Sequence, residues 1–202
     1  MSEPTSPAVL PRVLRRSVAS LVVVAFVVWW QWPWLAGHDD RLDVLSASDP
    51  LLASGERAMA TYVRDLGMSF AAMPTEVGSC EAAQVRAEVE RRDPVAVVLA
   101  ATGRGCDLGP LVDELRAAGR AVVVVVEPGV DPARAPAAAR VVDAGPIVGV
   151  DRVRTERPCE WWDRSVDVPC ADGGVAVVRD DRGAITDRGI DRIGRAVAAR
   201  LG

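Results

Sequence analysis

Ala121 is followed by five consecutive valines, Val122 to Val126. A run this long, apolar and β-branched leaves no polar face for water, so it reads as a strand buried on both sides. Strands of that kind belong to parallel sheets covered by helices on each face. Val95-Ala-Val-Val-Leu-Ala100 has the same character and predicts a neighbouring strand.

The rest of the chain alternates around these two runs. Leu42 to Ser46 is read as a first strand, Met68 to Met73 as a weaker one and Pro146 to Val150 as a fifth, with Gly174 to Val178 a short extra strand or hairpin arm. Asp49 to Leu66 carries Leu51, Leu52, Met59, Tyr62, Val63 and Leu66 near a 3.6-residue period, and Gly55 fills the gap in the stripe. Further helices are expected over Glu81 to Arg92, over Leu108 to Ala118 with Gly119 as its stop, over Pro132 to Val142, and over Thr186 to Leu201. Strands alternating with helices predict an α/β fold with a doubly wound parallel sheet. Sites in such folds lie beyond the carboxyl ends of the strands, which selects Ser48, Gly78, Thr102 to Arg104 and the loop before the last helix.

Composition narrows the chemistry. The 24 basic residues are all arginine, asparagine is absent, and His38 is the single histidine of the chain. No lysine means no phosphate-loop lysine and no Schiff base, and one histidine forbids a His-rich zinc site. The net charge of -4 argues against a nucleic-acid partner, and no cofactor or metal is implied.

Ser17 to Gly37 contains no charged residue. At about 1.5 Å per residue it is long enough for a hydrocarbon core of roughly 30 Å. Arg12, Arg15 and Arg16 precede it, whereas Asp39 and Asp40 follow it, so the amino terminus is expected on the cytoplasmic side. Trp29, Trp30, Trp32 and Trp34 suit the outer headgroup layer, with Pro33 near the helix end. A cleaved signal peptide is the competing reading, but cutting after Ala36 puts Trp34 where a small residue is needed. The expected organisation is a cytoplasmic tail over 1–16, a transmembrane helix over 17–37, a stem over 38–41 and an extracytoplasmic domain over 42–202. The lipid bilayer of the cell membrane is then the first partner, and the protein is single-pass.

Cys80, Cys106, Cys159 and Cys170 all fall in the exported part and show no C-x-x-C spacing. Two disulfides are expected. Three connectivities are open to four cysteines, and pairing of neighbours, Cys80 with Cys106 and Cys159 with Cys170, is the favoured one.

The order of blocks over residues 42–202 resembles the SGNH, or GDSL-like, hydrolase superfamily, in particular the extracytoplasmic domains associated with actinobacterial acyltransferases. The resemblance rests on Val44-Leu-Ser-Ala-Ser48-Asp49, on Gly78-Ser-Cys80, on Asp93 to Arg104, and on Arg179 to Gly189 ahead of the last helix. It implies a flavodoxin-like three-layer sandwich. It also implies a nucleophile at Ser48, an oxyanion-binding glycine at Gly78 and a last-block acid at Asp181. Gly103 stands where the family has its asparagine and Ala184 where it has its histidine, so two catalytic groups are missing. Without an imidazole a serine hydroxyl lacks its activating base, and loss of the oxyanion-hole asparagine costs about 100- to 1,000-fold in rate.

Other readings of the same residues stand beside these. Ser48 and Asp49-Pro50 also suit a helix start, Arg104 between two glycines suits either an anion or solvent, and Asp180-Asp181 suits a solvated turn. Cys159-Glu-Trp-Trp-Asp163 suits sugar stacking or a small satellite core. The expected function is a membrane-anchored pseudoenzyme of the cell envelope, a binding or accessory module working with an acyltransferase or a glycan. The alternatives are a weak serine esterase or O-acyltransferase using Ser48 with Asp181 or a water as base, and a purely structural module for a membrane partner.

Overall fold

The computed structural model describes residues 42–103, 105–159 and 174–202. Five parallel strands form the central sheet: β1 Val44–Ser46, β2 Phe70–Ala72, β3 Ala96–Ala101, β4 Ala121–Val126 and β5 Arg140–Asp143. Their order is β2-β1-β3-β4-β5. Val44 lies opposite both Phe70 and Ala96, and Val97 lies opposite Val122, so the two apolar runs are the middle of the sheet. Every residue of β3 is buried, and so is every residue of β4 after Ala121.

The helices follow from this order. The chain steps from β1 to β2 in one direction and from β2 past β1 to β3, β4 and β5 in the other. Right-handed crossovers therefore put α1 Pro50–Asp65 on one face and α2 Ala82–Arg92 and α3 Gly109–Ala117 on the opposite face. The last helix, α5 Asp187–Leu201, packs beside α1. A Cβ on Gly194 would sit 2.9 Å from the Ala58 Cβ and from the Met59 backbone nitrogen, so the two helices meet at a distance only glycine permits. Tyr62 Oη donates to Asp191 Oδ2 at 2.8 Å across the same seam.

Two expected elements are corrected. Pro132 to Val142 is not a helix: a 3-10 turn covers Pro132–Arg134, and the chain then becomes β5. Pro136 removes a backbone donor and disfavours helical geometry at Ala135, which is extended at φ -69 and ψ 134, while Val141 and Val142 pair with β4. Pro146 to Val150 is not the fifth strand but the short helix α4 Gly145–Val148, nucleated where the Asp143 side chain accepts the Gly145 N–H at 2.9 Å.

The Gly174 segment is one arm of an antiparallel hairpin, β6 Thr155–Pro158 with β7 Val175–Arg179. Arg179 closes it against the rest of the domain. Its Nε donates to the carbonyls of Val148 and Gly149 at 3.1 and 3.2 Å, and its Nη1 donates to Gly183 at 2.6 Å. Burial pushes this guanidinium below its ordinary value, and nearby Arg152 adds to the push. It therefore draws its support from carbonyl dipoles at the end of α4.

No helix among the described residues is long and apolar enough to cross a membrane. The span expected over 17–37 lies outside them, as do the tail and stem. At the α1–α5 seam, Gly194→Leu is expected to lower the unfolding free energy by about 1–3 kcal/mol, read as a lower urea midpoint at unchanged slope.

Candidate functional site

A doubly wound sheet opens a crevice where neighbouring crossovers leave in opposite directions, here between the carboxyl ends of β1 and β3. β1 is held on both sides up to its end: Met73 N–H donates to Ser46 at 2.8 Å and Ala47 N–H donates to Val98 at 2.9 Å. Ser48 then turns away, its N–H going to the Val77 carbonyl at 2.9 Å. β3 runs on to Ala101, so the Ala100 N–H has lost its strand partner on that side.

Ser79 supplies the replacement. Its Oγ accepts the Ala100 N–H at 2.6 Å and donates to Asp49 Oδ2 at 2.5 Å, and its own N–H reaches the same carboxylate oxygen at 2.9 Å. One hydroxyl thus serves as acceptor and donor at once in a fully buried position. Asp49 occupies the N-cap position of α1 with Pro50 following, but its side chain makes no capping bond. The helix starts at Asp49-Pro50 as expected, but the carboxylate serves the two Ser79 donors in place of a helix amide.

Gly78 is closely surrounded. A Cβ there would lie 2.8 Å from Glu81 Oε2 and 3.2 Å from Asp49 Oδ1, so the backbone passes close to two carboxylates, of which the Glu81 side chain would have to move to admit a larger residue. Immediately after it, Cys80 is disulfide-bonded to Cys106 with a Cα–Cα distance of 5.7 Å, tying the loop after β2 to the loop after β3. The sequence separation is 26, and closing a loop of that size is worth about 3–4 kcal/mol in the chain-entropy account. Cys159 is also disulfide-bonded. Cys170, its expected partner, and Glu160 to Asp163 lie outside the described residues, as does Arg104.

Ser48 is half-buried, and its Oγ donates to the Met73 carbonyl at 2.6 Å. The hydroxyl proton therefore goes to a backbone oxygen, not to a side-chain base. Gly103, beyond the end of β3, gives its N–H to Glu127 Oε2 at 3.4 Å, a long and weak contact with a carboxylate at the end of β4. Thr102 beside it is buried.

The last-block positions are tied elsewhere. Asp181 faces Arg154 at 3.4 Å with its side chain 80% exposed. Asp180 organises the turn, its Oδ1 accepting the N–H groups of Arg182 and Ala184 at 2.9 Å each, and the Ala184 side chain is a methyl group in solvent. The structure thus brings Ser48, Gly78 and the Cys80–Cys106 bridge together at the carboxyl end of the sheet. The bonds of Asp181 and Ala184 stay within the turn and with Arg154. His38 lies outside the described residues, and among those described no group of three or more His, Cys, Asp or Glu could hold a metal ion.

Ser79 and Glu127 are site residues that sequence patterns do not single out, and Asp49 is marked there only as the close of the first block and a helix start. Nothing in Gly78-Ser-Cys80 marks the middle residue, because its role arises from the stagger between β1 and β3. No family model, curated protein or solved structure matches the chain.

Ser79→Ala leaves the Ala100 N–H and the Asp49 carboxylate without this partner in a dry interior. A loss of about 2 kcal/mol or more in unfolding free energy is expected, together with faster amide exchange at Ala100 than at Val124 in the neighbouring strand.

Proposed function

We infer that this chain is a non-catalytic SGNH-like domain, anchored by residues 17–37 and held outside the cytoplasm, which serves as a binding or accessory module in cell-envelope acyl modification. The sheet order β2-β1-β3-β4-β5, with Ser48 just past the end of β1, supports the scaffold half of this reading. The observation that carries the non-catalytic half is the Ser48 hydroxyl, which donates to the Met73 carbonyl. A carbonyl cannot take up a proton near neutral pH, so the nucleophile is not activated.

Electrostatics points the same way. Acyl transfer builds negative charge on an oxyanion, and efficient sites surround it with donors. Here Asp49 and Glu81 flank Gly78, and Glu127 takes the amide of Gly103. Carboxylates in these places oppose an oxyanion. Asp181, the base that an unorthodox esterase would use, is engaged by Arg154.

Partners follow from the reading: a glycan or an envelope acyltransferase whose product or acceptor the domain holds. Acetyl-ester hydrolysis by the full chain in detergent, with Ser48→Ala in parallel, tests it. Equal rates near the buffer blank are expected. Turnover that disappears in Ser48→Ala overturns the reading and assigns a serine enzyme. A serine-directed fluorophosphonate is likewise expected to leave Ser48 unlabelled, as read by peptide mass.

A further inference from the structure

Beyond the carboxyl end of β5 the chain forms a second concavity, two strands away from the β1–β3 crevice. α4, the loop over 149–154 and the start of β6 enclose about 520 Å³, within the range of small-molecule sites. The loop is pinned at two points. Arg179 holds the Val148 and Gly149 carbonyls, and a Cβ on Gly183 would overlap the Arg152 carbonyl, so only glycine lets those segments touch. Gly149 itself has φ 84, a conformation that favours glycine. On the loop so fixed, Val150 and Val153 are 57% and 59% exposed. Single exposed valines are ordinary on a surface, but these two line the same cavity.

The charges of the cavity are a second, independent observation. Arg157 is half-buried, and its Nε donates to the Pro146 carbonyl and its Nη1 to the Glu156 carbonyl, both at 3.2 Å. Both partners are neutral. Asp143 uses Oδ1 to accept the Gly145 N–H, and Asp151 is exposed. Among the described residues none of these three side chains forms an ion pair, although all three line one cavity. Neighbouring charges are engaged or lie outside it: Glu156 and Asp181 pair with Arg154, and Arg152 is not part of the lining. A concavity that holds an uncompensated cation and uncompensated carboxylates apart, with an aliphatic lip, is complementary to a small molecule carrying both charges and a branched alkyl group.

We propose that this cavity binds an aliphatic α-amino acid in its zwitterionic form, the carboxylate met by Arg157, the ammonium by Asp143 and Asp151, and the alkyl group by Val150 and Val153. Arginine suits the first role because its planar fork matches a carboxylate. The site depends on neither the membrane anchor nor the chemistry of Ser48.

The test is a titration of the full chain in detergent with L-leucine, followed by the methyl resonances of Val150 and Val153. Saturable shifts of these methyl groups are expected, with those of Val124 in the core unmoved. L-leucinamide lacks the carboxylate and 4-methylpentanoate lacks the ammonium, and each is expected to bind at least about tenfold more weakly than leucine. Arg157→Gln is expected to bring leucine down to the affinity of leucinamide while leaving leucinamide unchanged, a loss of discrimination that a purely structural role does not produce. Slow amide exchange in β3 and β4 reports that the variant is folded. Leucine that gives no saturable shift at Val150 and Val153, or that binds the unaltered chain no more tightly than either analogue, overturns the proposal without recourse to any variant.

Discussion

The Ser79 hydroxyl is the contact on which the site end of this domain depends. β1 stops short of β3, which leaves a β3 amide facing the interior, and a buried unpaired N–H costs about 1–3 kcal/mol. Ser79 meets it and passes its own proton to Asp49, so a side chain continues the sheet where the backbone no longer can. That bond draws the loop after β2 across the crevice, sets Gly78 close to two carboxylates and brings Cys80 within reach of Cys106. The disulfide then holds the loop whether or not the crevice is occupied.

The same arrangement decides what the crevice can do. An active hydrolase needs a free hydroxyl, a base beside it and donors around the developing charge. In this crevice the hydroxyl is given to a carbonyl and the nearby polar groups are largely acceptors.

Basic residues gather in the last turns of the helices for a related reason. Helix amino ends meet the carboxyl ends of the strands, where Asp49, Glu81, Glu127 and Asp143 lie, and helix carboxyl ends meet Arg64, Arg116 and Arg200. Arginine in the last turn of α1, α2, α3 and α5 complements the helix dipoles, whereas of these helices only α5 carries an acid in its first turn.

Much of this was written in local patterns. The valine run from Val122, its companion from Val95 and the amphipathic spacing of Leu51, Met59 and Val63 determined a covered parallel sheet, because burial on two faces leaves apolar runs and burial on one leaves a period. Pairing of Cys80 with Cys106 was legible as a preference only. Where β-branched Val141 and Val142 stood next to Pro132 and Pro136, the sequence pattern pointed to a helix, and the strand emerged only because β4 offered an unpaired edge. The network of Asp49, Ser79 and Ala100 was legible nowhere in the sequence. It depends on how far β1 runs beside β3, a stagger set by the packing of whole elements, and no spacing of residue types along one chain records it.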